Sequence, residues 1–247
     1  MQKDTPILIN VPHSSVYIPL EEESLFTVPS LKRELDVMTD HYCDDLYNTG
    51  DTMLCFPVSR LVCDPERFRD DSEEIMASVG MGAIYTKSSD GCELRKISSR
   101  HKEKLLTQYY DSYHKQFEAA VESKLSKYGK CIIIDGHSFY DEPLPYEYDQ
   151  DRNRPDICIG TDDHHTPLEL QNTVCRYFRS KGYSVEFNRP FAGCIVPLKY
   201  YHRNRQVMSI MIEINRRLYL DHDISKTNGY MRVKKDVADV INLIKGQ

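Results

Sequence analysis

Apolar positions along the chain fall into two spacings. Short runs rich in β-branched residues and bounded by turn formers read as buried strands: Pro6–Val11, Thr52–Val58, Leu61–Cys63, Cys131–Phe139, Asp156–Gly160, Tyr183–Phe187 and Val207–Ile214. Elsewhere apolar residues recur at helical spacing. Leu31–Tyr47 predicts a helix or a helix pair, and Ser98–Tyr128 carries the ladder Leu105, Tyr109, Tyr113, Phe117, Val121 and Leu125 of a long amphipathic helix whose aromatic stripe belongs to the core. Leu168–Lys181 and Asn228–Lys245 read as further helices. Strands alternating with helices over 247 residues predict one α/β domain, with apolar material for a single core.

The polar residues that interrupt this pattern are more telling. In Cys131–Phe139 an apolar run leads straight into Asp135, Gly136 and His137, which predicts a strand with a tight Asp-Gly exit that projects His137 over the sheet edge. The first strand ends in the same way, at Pro12-His13-Ser14-Ser15. Glu213 stands near the end of the otherwise apolar Val207–Ile214, where a carboxylate is costly unless paired or used. Ligands of open α/β sheets bind at the carboxyl ends of the strands. Two histidines and an acid delivered there suit a catalytic zinc, which takes three protein ligands and keeps one position open. Asp40 and Asp44, four apart on a helix, are candidate acidic ligands, and Arg60 and Arg67 flank a short strand.

Other polar clusters have plainer readings. Asp162-Asp163-His164-His165 is dense in donors, but adjacent residues splay apart, and Thr166-Pro167 after it reads as a helix entry. His101 and His114 fall on the long helix as surface or half-buried residues. Glu21–Glu23 reads as a solvated acidic turn, Arg69–Arg95 as a hairpin excursion over the site, and the long polar loop Tyr140–Pro155 as a cover.

Composition narrows the partners. A net charge of −6 without a polybasic stripe suggests neither nucleic acid nor an anionic membrane, leaving a small molecule. The opening Met-Gln-Lys-Asp-Thr-Pro lacks the apolar core of a signal peptide, and no apolar run is long enough to span a bilayer. The eight cysteines include no C-x-x-C, and most lie in apolar runs, as expected of reduced thiols in a cytoplasmic protein.

A set of motifs in order along nearly the whole chain resembles the N-formylglutamate amidohydrolases: Val11-Pro12-His13-Ser14-Ser15, Ser59-Arg60-Leu-Val-Cys-Asp64-x-x-Arg67, Asp135-Gly136-His137, Arg154-Pro-Asp-x-x-Ile-Gly160, Asn188-x-Pro-Phe-x-Gly193 and Ile212-Glu213-Ile-Asn-Arg. That family is similar in fold to the zinc carboxypeptidases and aspartoacylases. The resemblance implies a three-layer α/β/α sandwich with a mostly parallel mixed sheet, of the zinc-exopeptidase kind. It implies hydrolysis of an N-formyl or small N-acyl amino acid carrying a carboxylate, such as N-formylglutamate; the expected protein is soluble, and a monomer or small homo-oligomer. His13 and His137 become ligands of one zinc ion, Glu213 the general base and Arg67 the anchor of the substrate carboxylate; beside these, Arg60 is read as a stabiliser of the oxyanion and Asn188 as a further substrate-binding residue.

The chain also departs from the pattern. The carboxypeptidase acidic ligand follows the first histidine by three residues, where this chain has Val16, so the acid comes from further on; Asp44 is the choice, with Asp40 as rival. Glu66 stands where the family commonly has asparagine, a negative charge expected beside Arg67. The alternatives are a peptide or cell-wall amidase on the same metal site, or a non-catalytic relative that binds an acyl amino acid.

Overall fold

The computed structural model describes residues 5–246; Met1–Asp4, part of the stretch read for a signal peptide, lie outside the described residues. Six strands form one sheet in the order β2-β1-β3-β6-β4-β5. β1 (Ile7–Val11), β2 (Thr52–Cys55), β3 (Cys131–Phe139) and β6 (Val207–Asn215) run parallel, whereas β4 (Ile157–Gly160) lies antiparallel to β6 and carries β5 (Val185–Phe187) alongside it. The sheet is therefore mixed and mostly parallel. The order reverses between β1 and β3, which opens a crevice at their carboxyl ends.

Side-chain alternation divides the sheet into two faces. Ile132 and Ile134 of β3, Ile210 and Ile212 of β6 and Ile7 and Ile9 of β1 join a core with residues of α3 (Cys43–Leu46), α6 (Leu168–Ser180) and α7 (Tyr230–Ile244). Leu8, Cys131, Ile133 and Val207 point the other way, onto Phe117 and Val121 of α5 (Ser112–Tyr128). Helices thus cover both faces, giving three layers. The second set continues, every other residue, into Asn10, Asp135, His137 and Glu213.

Several expectations change in detail. β3 does not exit at Asp135-Gly136; it pairs with β6 in register from Cys131↔Val207 to Phe139↔Asn215, so His137 and Glu213 face each other inside the strands. Gly136 is needed for packing instead. A Cβ there would come within 2.8 Å of the Tyr47 ring, whose hydroxyl donates to the carbonyls of His137 and Ile212. Leu61–Cys63 is a buried turn, because Ser59 accepts from the amides of Val62 and Cys63. The first helical region is a pair, α2 (Leu31–Met38) and α3, separated by Tyr42 in the left-handed conformation.

The long helix is continuous but not uniform. α4 (Ser99–Leu105) passes into α5 through a π-turn at Leu106–Asp111, and this extra residue moves burial from the expected Tyr109 to Leu106 and Tyr110. Glu21–Glu23 falls in a four-residue helix, α1 (Leu20–Glu23), and Glu22 is buried there rather than solvated, bonded to His101 Nε2 at 2.9 Å. The Arg69–Arg95 excursion contains one 3₁₀ turn, Ile75–Val79, and a single bridge Lys87↔Glu93 around Gly91. All eight cysteines are unpaired. No helix among the described residues is long and apolar enough to cross a membrane.

Candidate active site

His13 and His137 lie on either side of the β1/β3 crevice, their ring centroids 5.1 Å apart. Each ring is oriented by a carboxylate on one nitrogen. His13 Nε2 is 2.9 Å from Asp64 Oδ1, and His137 Nδ1 is 3.1 Å from Asp40 Oδ2. This leaves His13 Nδ1 buried without a hydrogen-bond partner, and His137 Nε2 facing Glu66 Oε2 and Asp135 Oδ1 at 3.1 Å each. Ligand atoms of His13, Glu66 and His137 lie within 4.8 Å of one another, the one such group of three among the described residues.

These donors fit a divalent metal ion. Burial and the nearby Arg60 push His13 down to about 4, although Asp64 opposes them, so its imidazole is neutral, as a ligand must be. Burial works against charge on His137 too, but Glu66, Asp135 and Asp40 outweigh it and hold that imidazole well above its ordinary value. Burial, with Asp135 beside it, raises Glu66 to about 7. Carboxylates crowded round two imidazoles, of which only His13 is neutral, form a buried crevice whose charge a dication would balance on displacing the His137 proton. His13, Glu66 and His137 can hold a metal, and Asp64 and Asp40 are the groups behind the histidines.

The backbone that carries Glu66 is gripped from the long helix. His114 Nε2 bonds Pro65 O at 2.8 Å and Tyr110, displaced inward by the π-turn, donates to Arg67 O at 2.9 Å. Glu66 N donates to Asp64 Oδ1, and Asn10 Nδ2 donates both to Glu66 Oε1 and to Asp135 Oδ1. Tyr113 in turn donates to Asn10 Oδ1. Asp64 and Glu66, bracketing Pro65, thereby reach different histidines.

The histidines open into a cavity of about 480 Å³, whose walls include Arg60, Arg67, Tyr146, Phe191, Glu213 and Arg216. Glu213 is 7% exposed and its Oε2 has no partner. Burial, reinforced by Asp40 and Glu66 and opposed by His137 and Arg216, pushes its carboxyl up to about 8. Arg60 donates through Nη2 to Asp64 at 2.8 Å. Arg216 is fully engaged, donating to Asp40 Oδ1, Ser138 and Val37 O. Arg67 donates to Met81 O at 3.3 Å, and among the described residues no carboxylate pairs with it. Tyr140, Leu144 and Tyr146 from the long loop also line the cavity. That loop is pinned by the Arg154–Glu147 pair and by Arg189, which bonds Asp149 and Asp151.

The structure brings together His13, His137, Glu213, Arg60 and Arg67, and leaves out two other expected residues. Asp44 is exposed on α3 and takes no part in the cluster, because the chain enters that short helix with Cys43 and Leu46 facing the core. The acid beside the histidines is Glu66. It does not pair with Arg67, as expected of a charge at that position, but turns toward Asn10 and His137. Asp40, the rival, orients His137 and bonds Arg216. Asn188 is exposed and off the cavity wall: its Oδ1 accepts from Thr161 N and Gly193 N, shaping the loop against Gly160, where a Cβ would meet Gly193 O. Asp135 and Arg216 were visible within motifs but carried no signal of their role. In the Asp162–His165 cluster, His165 bonds Val207 O and accepts from His202 N, and Asp162 caps the turn, a structural use of these donors.

The N-formylglutamate amidohydrolase family model matches residues 5–220. A crystal structure of an N-formylglutamate amidohydrolase from Ralstonia eutropha JMP134 shares the fold at a TM-score of 0.83 and 22% identity, over 98% of this chain and 93% of that one. A gene product of Agrobacterium tumefaciens does so at a TM-score of 0.69 and 16% identity, over 97% and 92% of the two chains. No curated protein matches the sequence. Matched by the family model over most of its length, and with both motif histidines and the motif glutamate gathered at one crevice, the chain belongs to the N-formylglutamate amidohydrolase family.

Proposed function

We propose that the protein is a metal-dependent amidohydrolase that cleaves an N-formyl or other small N-acyl amino acid, giving the carboxylic acid and the free amino acid. The observation that carries this reading is a pair of buried, unpartnered acceptors, His13 Nδ1 and Glu213 Oε2, on the wall of one cavity. An unsatisfied buried polar atom costs about 1–3 kcal/mol, so two at one crevice mark a site built for something else to bind. His13, Glu66 and His137 would hold one zinc ion. Zinc bound there would polarise the scissile carbonyl and acidify water to near neutrality.

The side chains supply the rest. Glu213 accepts the proton of the attacking water and returns it to the departing amine; its burial tunes the carboxyl toward the neutral range in which such transfers work in both directions. Arg60, fixed by Asp64 through Nε and Nη2, stabilises the oxyanion. The pinned loop over the cavity favours a small substrate over a peptide or cell-wall polymer. Arg67, the cavity arginine with no carboxylate partner among the described residues, anchors the substrate carboxylate.

Lysine cannot reproduce the planar fork of arginine, so Arg67→Lys is expected to raise KM and lower kcat/KM. Loss of a charge-assisted bond of about 1.5–3 kcal/mol corresponds to roughly 10- to 150-fold. The penalty is expected to vanish for the substrate's carboxamide. Unchanged kinetics on every acyl amino acid would make Arg67 a structural cation and remove it from substrate binding.

A further inference from the structure

We infer that the site prefers an N-acyl amino acid with one carboxylate and an apolar side chain over a dicarboxylic one such as N-formylglutamate. This inference deepens the hydrolase reading above and rests on it. Its first basis is the charge inventory of the cavity. Arg216 has its donors on Asp40, Ser138 and Val37 O, and Arg60 gives Nε and Nη2 to Asp64; Arg67 has Asp64 and Glu74 nearby but, among the described residues, no carboxylate within ion-pair distance. The acids on the wall, Asp40, Glu66, Asp135, Glu147 and Glu213, offer a second substrate carboxylate no cation to pair with. One anchored carboxylate is matched; a second faces either these acids or an apolar surface, and a buried unpaired carboxylate is strongly disfavoured.

The second basis is the remaining wall. Phe139, Leu144, Phe191, Val196, Leu198 and Met211 all line the same cavity. Phe139 and Phe191 meet edge to face, with ring centroids 5.8 Å apart. Phe139 lies on β3 two residues beyond His137, and Met211 on β6 two residues before Glu213, so strand alternation turns both toward the face that carries the site. An apolar side chain is what this surface binds; each methylene it buries is worth roughly fourfold in affinity.

The test compares N-formylnorleucine with N-formylglutamate, two side chains of similar length and different charge. Formate release by the zinc-reconstituted wild-type protein gives kcat/KM for each. Calorimetric titration of the Glu213→Gln protein, which retains the metal ligands, gives the two affinities without turnover. The norleucine compound is expected to lead by about 10- to 100-fold in both measurements. Phe191→Ala, on a loop, is expected to reduce that lead several-fold. A preference for N-formylglutamate, equal values, or no binding of either compound would overturn the inference. So would a lead untouched by Phe191→Ala. Tighter binding of the norleucine compound without hydrolysis of either would support the inference while the hydrolase reading fails.

Discussion

In a Glu66→Gln protein, bound zinc is expected to fall well below the roughly one ion per chain of the wild type, and amide hydrolysis to fall with it. The amide keeps the shape of the carboxylate and its bond with Asn10, so the backbone held by His114 and Tyr110 stays in place. What is lost is the charged donor beside His13 and His137. The loss is expected to exceed the roughly 10- to 100-fold typical of groups behind the ligands. Asp40→Asn, which loosens His137 without removing a donor, is expected to fall within that range. Asp44→Asn is expected to leave metal content unchanged. Metal analysis of the three purified proteins decides among these acids, and loss on Asp44→Asn alone would return the acidic ligand to α3.

The second large effect concerns Glu213. Glu213→Gln preserves the volume of the side chain in its buried strand but removes the proton acceptor, so kcat is expected to fall about 10²- to 10⁴-fold. Zinc content is expected to hold, because Glu213 is not among the clustered donors. Retained turnover would exclude Glu213 from the reaction. Loss of zinc would recast it as a ligand.

The sequence was most legible where burial imposed a simple period. The runs at Pro6–Val11, Cys131–Phe139 and Val207–Ile214 become β1, β3 and β6, and the polar residues that break them, His137 and Glu213, meet across paired strands. Long-range partners were less legible. Asp64 and Glu66 reach the site across a turn, and their assignment depends on Pro65 being held by His114 from a helix far along the chain. Nothing local in Asp64-Pro-Glu66-Arg67 distinguishes a ligand from a surface acid, so the glutamate at an asparagine position read as a fault beside Arg67. In space it is the acid between the histidines. Asp44 was attractive for the opposite reason: helical spacing placed it well within a predicted helix, but a four-residue α3 behind a left-handed Tyr42 turns it to solvent. Asn188 was read from its motif alone; in space its side chain bonds Thr161 and Gly193, off the cavity wall.

The most direct measurement is release of formate and free amino acid from N-formyl amino acids by protein first stripped with a chelator and then titrated with zinc. The account predicts that the stripped protein is inactive and that activity returns linearly to a plateau at about one equivalent of zinc per chain, accompanied by a rise in melting temperature as the ion binds the folded state. Full activity after stripping, or no hydrolysis of any N-formyl amino acid at saturating zinc, would contradict it.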